Sequence, residues 1–187
     1  MRRFTSEPLP DDVLERILTS AGFAPSAHNR QPWLFVILTD SAVKSRLAQA
    51  MALDFRRDLA SDGLPVDEID RQASRSVSRI ESAPVIVVMC MDLGSVDLPA
   101  DPRRAMAERT MAIQSVAAAT TQLLLAAHAE GLGGVWICSP LFAPEAVQRT
   151  LGLESSLEPQ GMVFLGHVQA LPNPRERKPL SEISSRR

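Results

Sequence analysis

The run Ala24-Pro25-Ser26-Ala27-His28-Asn29-Arg30-Gln31-Pro32-Trp33 sets a hydroxyl, an imidazole, two amides and a guanidinium side by side among prolines. A structural turn needs one Pro or Gly and a capping residue, not His28, Asn29, Arg30 and Gln31 in succession. Consecutive donors and acceptors held by prolines describe a loop shaped for a polar ligand with many hydrogen-bonding edges. A nucleotide-like cofactor is such a ligand.

Three more clusters lie far off in sequence: Arg2-Arg3, the segment 131–139 ending in Trp136-Ile137-Cys138-Ser139, and Arg175 with Arg177. Singly, each has an ordinary explanation: solvated terminal charges, a helix C-cap and turn, a basic surface strap. Trp33 and Trp136 read as core anchors. Cys90 and Cys138 lack CxxC spacing and stand among apolar residues, so both read as buried, reduced thiols. Cys138 has no base placed beside it and reads as a backbone contributor, not a nucleophile. The three histidines are scattered and offer no zinc-ligand spacing.

At 187 residues the chain suits a single domain, 1–187. A net charge of −2 gives no basic face for nucleic acid. The amino end, Met1-Arg2-Arg3-Phe4, is not followed by the apolar core of a signal peptide. Residues 110–129 carry no formal charge, but Gln114, Ser115, Thr120, Thr121, Gln122 and His128 are too polar for a span of ~30 Å of hydrocarbon. The stretch reads as a helix buried on most faces, within the domain or at a subunit interface. A cytoplasmic protein with no membrane or nucleic-acid partner is expected.

The polar clusters need elements to position them. Asp12 and Glu15 after Pro10 read as a capping box, followed by a helical stripe of Val13, Leu14, Ile17, Leu18 and Ala21 that Gly22 stops. Leu34-Phe35-Val36-Ile37-Leu38 is apolar on both faces, the pattern of a central strand. Asp40 or Ser41 caps a second helix, with Val43, Leu47, Met51 and Phe55 inward, ending near Asp62-Gly63. Pro65 and Asp67 open a third, with Ile69, Ala73, Val77 and Ile80 on one face and a break at Ala83-Pro84. Val85-Ile86-Val87-Val88-Met89-Cys90-Met91 is a buried strand. A long helix over about 102–130 ends at Gly131, Gly133 and Gly134. Strands at 135–138 and 161–168 flank a short helix at 144–151. The tail 170–187, with Arg175 and Arg177 among prolines, cannot build a core and must lie on something. The sum is an α+β, layered α/β fold: a central mixed or antiparallel sheet of four to five strands wrapped by helices.

In this order the clusters resemble the FMN-dependent nitroreductase family. The resemblance rests on Arg2-Arg3-Phe4, on Ala24-Pro25-Ser26 with Asn29 and Gln31-Pro32-Trp33, and on Gly131-Leu132-Gly133 with Trp136-Ile137. Leu165-Gly166-His167 then precedes a Pro- and Arg-rich tail ending in Lys178-Pro179-Leu180. It covers nearly the whole chain, and residues 25–33 are its specific part. Within the family three segments are similar to the nitroreductase-like C-terminal domain of the ligase that adds glutamate to the deazaflavin coenzyme F-420. They are 57–63 (Arg57-Asp58-Leu59-Ala60-Ser61-Asp62-Gly63), 107–111 (Ala107-Glu108-Arg109-Thr110-Met111) and 136–143 (Trp136 to Ala143). That domain is understood to reduce a dehydro precursor of the coenzyme with bound FMN.

The resemblance implies a nitroreductase-like fold and a homodimer with the long helix at its interface. FMN would lie in two sites shared by the subunits. Arg175 and Arg177 would hold its phosphate dianion. Arg2 would lie along the ribityl chain toward N1 and O2, where reduction places negative charge. The loop residues Pro25, Ser26, Ala27, His28, Asn29 and Gln31 would meet the ribityl hydroxyls and ring carbonyl edges, from the partner subunit. The backbone at Trp136, Ile137, Cys138 and Ser139 would face N5 and O4. No catalytic side chain is implied, because the flavin carries two electrons by a ping-pong cycle between a small-molecule donor (NADH, NADPH or a deazaflavin) and an acceptor. The family has further residues before the arginine pair, whereas this chain starts at Met1. One charged hydrogen bond to the cofactor, about 1.5–3 kcal/mol, is expected to be missing. The alternatives are a general NAD(P)H nitro or quinone reductase, a flavin-consuming 5,6-dimethylbenzimidazole synthase, and a non-catalytic flavin-sequestering protein whose residues 57–81 cover the cofactor.

Overall fold

The computed structural model describes residues 3–171, 173 and 175–187. Its elements run α1 (Asp11–Gly22), β1 (Trp33–Leu38), α2 (Ser41–Ser61), α3 (Val66–Glu81), β2 (Val85–Asp92), α4 (Pro102–Ala129), β3 (Gly133–Ile137), α5 (Pro144–Leu151), β4 (Leu157–Gly166) and α6 (Leu180–Ile183). The four strands form one sheet in the order β1-β2-β4-β3, and each pairing is antiparallel. The expected α+β layering is present; among the described residues the sheet is antiparallel and not mixed.

Alternation along β2 divides the core in two. Val85, Val87, Met89 and Met91 pack with α1 and α4, where Leu14, Ile17, Ala119 and Leu123 meet them. Ile86, Val88 and Cys90 face α2, α3 and α5, against Leu47, Met51, Ile80 and Val147. Both faces of β2 are therefore covered, which explains its unbroken apolar run. Burial pushes the Cys90 thiol up to about 12, as expected of an inert core cysteine.

β1 has the same kind of sequence but a different place. It is an edge strand, and Leu34 and Ile37 are each 42% exposed, so the central position expected for residues 34–38 is corrected. Strand order is set by long-range pairing, which a local apolar run does not encode. The Asp12–Glu15 capping box does not form either. The helix begins two residues earlier, its N-cap is Pro10 without a side-chain cap, and Asp12 instead pairs with Arg16 one turn on.

The other helix boundaries have visible causes. Asp40 Oδ1 accepts from Val43 N at 2.8 Å to start α2, and Asp101 Oδ1 accepts from Arg103 N at 3.0 Å to start α4. Buried Lys44 on α2 donates to the carbonyls of Ala83 (2.7 Å) and Pro84 (3.2 Å), fixing that helix to the start of β2. Gly131, with φ of 77°, turns the chain out of α4. Gly133 and Gly134, expected to end the helix, are instead the first residues of β3.

α4 is long and apolar enough, by length and composition, to cross a membrane. One of its faces is nevertheless core, with Ala112, Val116, Ala119, Leu123 and Ala127 at most 4% exposed. On its other side Met106, Ile113 and Leu125 are exposed in the single chain. In the tail, residues 175–187 are exposed throughout and lie on no surface of their own chain among the described residues.

Candidate functional site

Residues 25–33 form a loop pinned from within and from below. Ser26 Oγ accepts from Gln31 N at 3.0 Å, closing the loop on itself. Ser115, on the buried face of α4, accepts from Ala27 N at 3.2 Å and donates to Met111 O at 2.7 Å. Inside the loop Asn29 N donates to Ser26 O and Trp33 N to Gln31 O. Arg30 forms an ion pair with Asp97, which holds the Asp97 carboxyl below its usual range. Arg30 is thus committed to the protein, while His28, Asn29 and Gln31 project into solvent.

Those three residues have positive φ, of 54°, 55° and 50°, the left-handed region that glycine adopts freely and other residues do not. Such backbone persists only where the surroundings over-determine it, and the Ser26 and Ser115 bonds do so here. The result is a tight turn that presents an imidazole and two amides outward. Gln31 Nε2 reaches Asn29 Oδ1 at only 3.4 Å, leaving most of this capacity uncommitted.

The second cluster sits at the end of β3. Trp136 Nε1 is buried and has no hydrogen-bond partner among the described residues. The indole fits because residue 161 on β4 is glycine: a Cβ there would stand 2.6 Å from Trp136 Nε1 and 3.2 Å from Ile137 O. Cys138 is exposed, which corrects the expectation of a buried thiol, since the strand ends at Ile137 and the chain turns outward into Ser139–Phe142.

Strand register relates the two clusters. Trp33 pairs with Met91, Met91 with Glu158, and β3 runs from Gly133 opposite Gly166 to Ile137 opposite Met162. The loop before β1 and the chain after β3 therefore lie at the same end of the sheet, on opposite edges. Three strand spacings, about 14 Å, separate those edges. Arg109 crosses this end to Glu158, with Nη1 at 2.8 Å from Oε1.

A cavity of about 430 Å³ opens between α3 and the end of β3, and Ile137 and Ser139 line it. Arg75 and Arg79 of α3 also line it, and sequence reasoning missed both. Their spacing on an amphipathic helix was a visible signal, but nothing local said which polar face would meet another element. Ser115 was missed as well, hidden among the uncharged residues of α4. Pro25 is exposed, and Ser26 and Ala27 are partly buried in the loop. Arg175 and Arg177 lie in the exposed tail, away from both clusters in the described contacts, and Arg2 lies outside the described residues. Among the described residues no group of three or more His, Cys, Asp or Glu could hold a metal.

Comparison with known proteins places this geometry. A family model described as the nitroreductase family matches residues 1–167. A protein of Thermus thermophilus named NADH dehydrogenase is 30% identical over 98% of this chain and 89% of its own length. A 5,6-dimethylbenzimidazole synthase of Rhodospirillum rubrum is 29% identical over 98% of this chain and 81% of its own. Among solved structures, a BluB-like flavoprotein of Clostridium difficile superposes with a TM-score of 0.82 at 23% identity, covering 98% of this chain and 92% of that one. A nitroreductase in complex with FMN from Desulfovibrio desulfuricans gives 0.72 at 24% identity, covering 100% and 90%.

Proposed function

Because this chain belongs to the nitroreductase family, we propose that it is an oxidoreductase that carries two electrons from a small-molecule donor to a small-molecule acceptor. FMN is its cofactor. The observation that carries the reading is the strained loop 25–33, whose backbone is satisfied internally while His28, Asn29 and Gln31 are left free for a ligand.

The residues present fit FMN by their chemistry. Amide, imidazole and hydroxyl groups match ribityl hydroxyls and ring carbonyls, and two tail arginines match a phosphate dianion. Exposed Cys138 and half-buried Ser139 mark a second polar edge beyond the end of β3. When bound, FMN supplies hydride chemistry at N5. The chain's part is to bind and orient: Ser26, His28, Asn29 and Gln31 hold the polar edges with Pro25 and Ala27 shaping the turn. Arg175, Arg177 and Arg2 supply positive charge, and Trp136, Ile137, Cys138 and Ser139 border the reacting end. None of these side chains needs to exchange a proton.

The reading includes a homodimer. The loop and the β3 end lie on opposite edges of one sheet, the outer face of α4 exposes Met106, Ile113 and Leu125, and the tail is unsupported. A second copy would unite the loop of one protomer with the β3 end of the other. A cytoplasmic setting with NAD(P)H as donor is part of the same reading. The similarity of segments 57–63, 107–111 and 136–143 to the F-420 ligase domain makes a dehydro-deazaflavin precursor the finer candidate acceptor.

One observation favours a second reading: the Rhodospirillum rubrum synthase is nearly as similar as the Thermus thermophilus dehydrogenase. The two are separated by the visible spectrum of the purified protein. NAD(P)H should bleach bound FMN and an added nitroaromatic should restore it. Destruction of the FMN chromophore in air, with no other acceptor, would move the assignment to the synthase. A protein that takes up no FMN would end both readings.

A further inference from the structure

The amino-terminal segment and the chain that leaves β4 meet at one short bridge. Phe4 pairs antiparallel with Val168, Thr5 N donates to His167 O at 2.9 Å, and Gln169 N donates to Arg3 O at 3.1 Å. Gly166 lies beneath this crossing with no room for a side chain: a Cβ there would stand 2.8 Å from Pro84 Cγ and 2.9 Å from Phe4 Cδ1. The bridge also holds an unspent polar atom. His167 Nε2 is buried without a hydrogen-bond partner among the described residues and stands 3.8 Å from Glu7 Oε1. That is too long for a hydrogen bond and short enough for an ion pair. Glu7 N donates to Thr5 Oγ1 at 3.4 Å, which keeps residue 7 beside the bridge.

The surrounding charges are otherwise engaged or farther off. Arg3 shares the amino-terminal segment with Glu7, and the chain opposite, Gly131 to Gly133, brings no charge. Alternation from Leu165 turns His167 toward the α1 and α4 layer. There α1 carries Asp11, Asp12, Glu15 and Arg16, and the end of α4 carries His128 and Glu130. Arg16 pairs with both Asp12 and Glu130. On the other layer Lys44 is bonded to the carbonyls of Ala83 and Pro84. Among the described residues, Glu7 supplies the one carboxylate within ion-pair distance of His167.

We infer that His167 and Glu7 form a pH-dependent clasp that positions the arginine-bearing ends of the chain for the cofactor. The inference rests on the FMN reading for that purpose, because Arg2 precedes the bridge in sequence and Arg175 and Arg177 follow it. An imidazole is the side chain that changes charge between about pH 5 and 8. Once protonated it donates from both ring nitrogens, and Nε2–H then faces an ionised carboxylate. When neutral it offers Glu7 no ionic attraction. The clasp is therefore closed in mildly acid solution and loosens as pH rises through the imidazole range. Both residues act through the ends they hold, as positioning residues.

The test is a double-mutant cycle of E7Q, H167Q and the two together in the full chain, at about pH 5.5 and about pH 8. Amide hydrogen exchange at Thr5 and Gln169 reads the clasp, and fluorescence titration with FMN reads its effect on the cofactor. Comparing variants at one pH cancels the titration of the FMN phosphate and of His28. Glu7 has a side chain 65% exposed, so E7Q endangers no core. In mild acid each single variant should lower protection of both amides about threefold, the scale of a partly exposed ion pair, and the double variant should lose no more. FMN affinity should fall by the same factor. At the higher pH all four proteins should agree. Wild-type protection in E7Q in mild acid, or an equal loss at both pH values, overturns the clasp. Protection that changes while FMN affinity does not overturns its positioning role. A protein that shows the pH-dependent coupling yet takes up no FMN keeps the clasp and removes the oxidoreductase reading.

Discussion

The loop before β1 and the tail after β4 hold the two polar clusters most specific to this chain, and the fold treats them oppositely. The loop is held by Ser26 and Ser115 so firmly that three non-glycine residues keep positive φ. The tail is exposed from residue 175 onward, and among the described residues its short α6 is supported by local bonds such as Ser184 Oγ to Leu180 O. One half of the proposed cofactor site is therefore pre-organised by the protomer. The other half must be ordered by ligand or by a second copy, and ordering each tail residue costs about 1–2 kcal/mol of backbone entropy. Affinity should depend on the tail, and stability on the loop.

The sharpest break in that comparison is removal of residues 171–187. FMN content, read from the visible spectrum after gel filtration, should fall to a trace, while the urea midpoint of the FMN-free protein stays unchanged. A truncated protein that purifies yellow would remove Arg175 and Arg177 from the site. Ser115→Ala should act in the opposite sense. It leaves Ala27 N without its acceptor and should cost about 1–3 kcal/mol in urea unfolding. Gly161→Ala forces a Cβ to 2.6 Å from Trp136 Nε1; a loss of about 1–3 kcal/mol with altered tryptophan emission is expected, and unchanged emission would show that the notch does not position the indole.

Two smaller effects sharpen the picture. His28→Gly relieves a left-handed backbone and should stabilise the protein by about 0.5–1 kcal/mol while weakening FMN retention. A loss of stability would mean that no strain is held there. Asp97→Asn tests the Arg30 tie. Because Arg30 lowers the folded pKa of Asp97 below the ordinary value of 3.8, the stabilisation is present above that value and is lost as pH falls through the lower folded one. The variant should lose this small surface contribution at neutral pH and converge with wild type at the acid end, which flattens the acid limb of its stability profile.

Local signals were legible where neighbours in sequence decide the outcome. The Asp40 cap, the Gly131 stop, the α3 stripe of Ile69, Ala73 and Ile80, and the span of α5 all depend on a few adjacent residues. Asp12 misled because two acidic residues follow Pro10 and either could open the helix. Its carboxylate found Arg16, a partner one turn away, instead of a free N–H at the helix start.

Composition and motif order in the chain determined by themselves the layered α+β class, the family and the polar loop proposed to hold the cofactor. Tertiary structure alone decided that β1 is an edge, that Cys138 faces solvent, and that Arg75 and Arg79 share a cavity with Ser139. The reason is range. Helix and strand periodicity is written in residues a few positions apart, whereas strand order and the meeting of side chains some sixty positions apart follow from how the whole core closes.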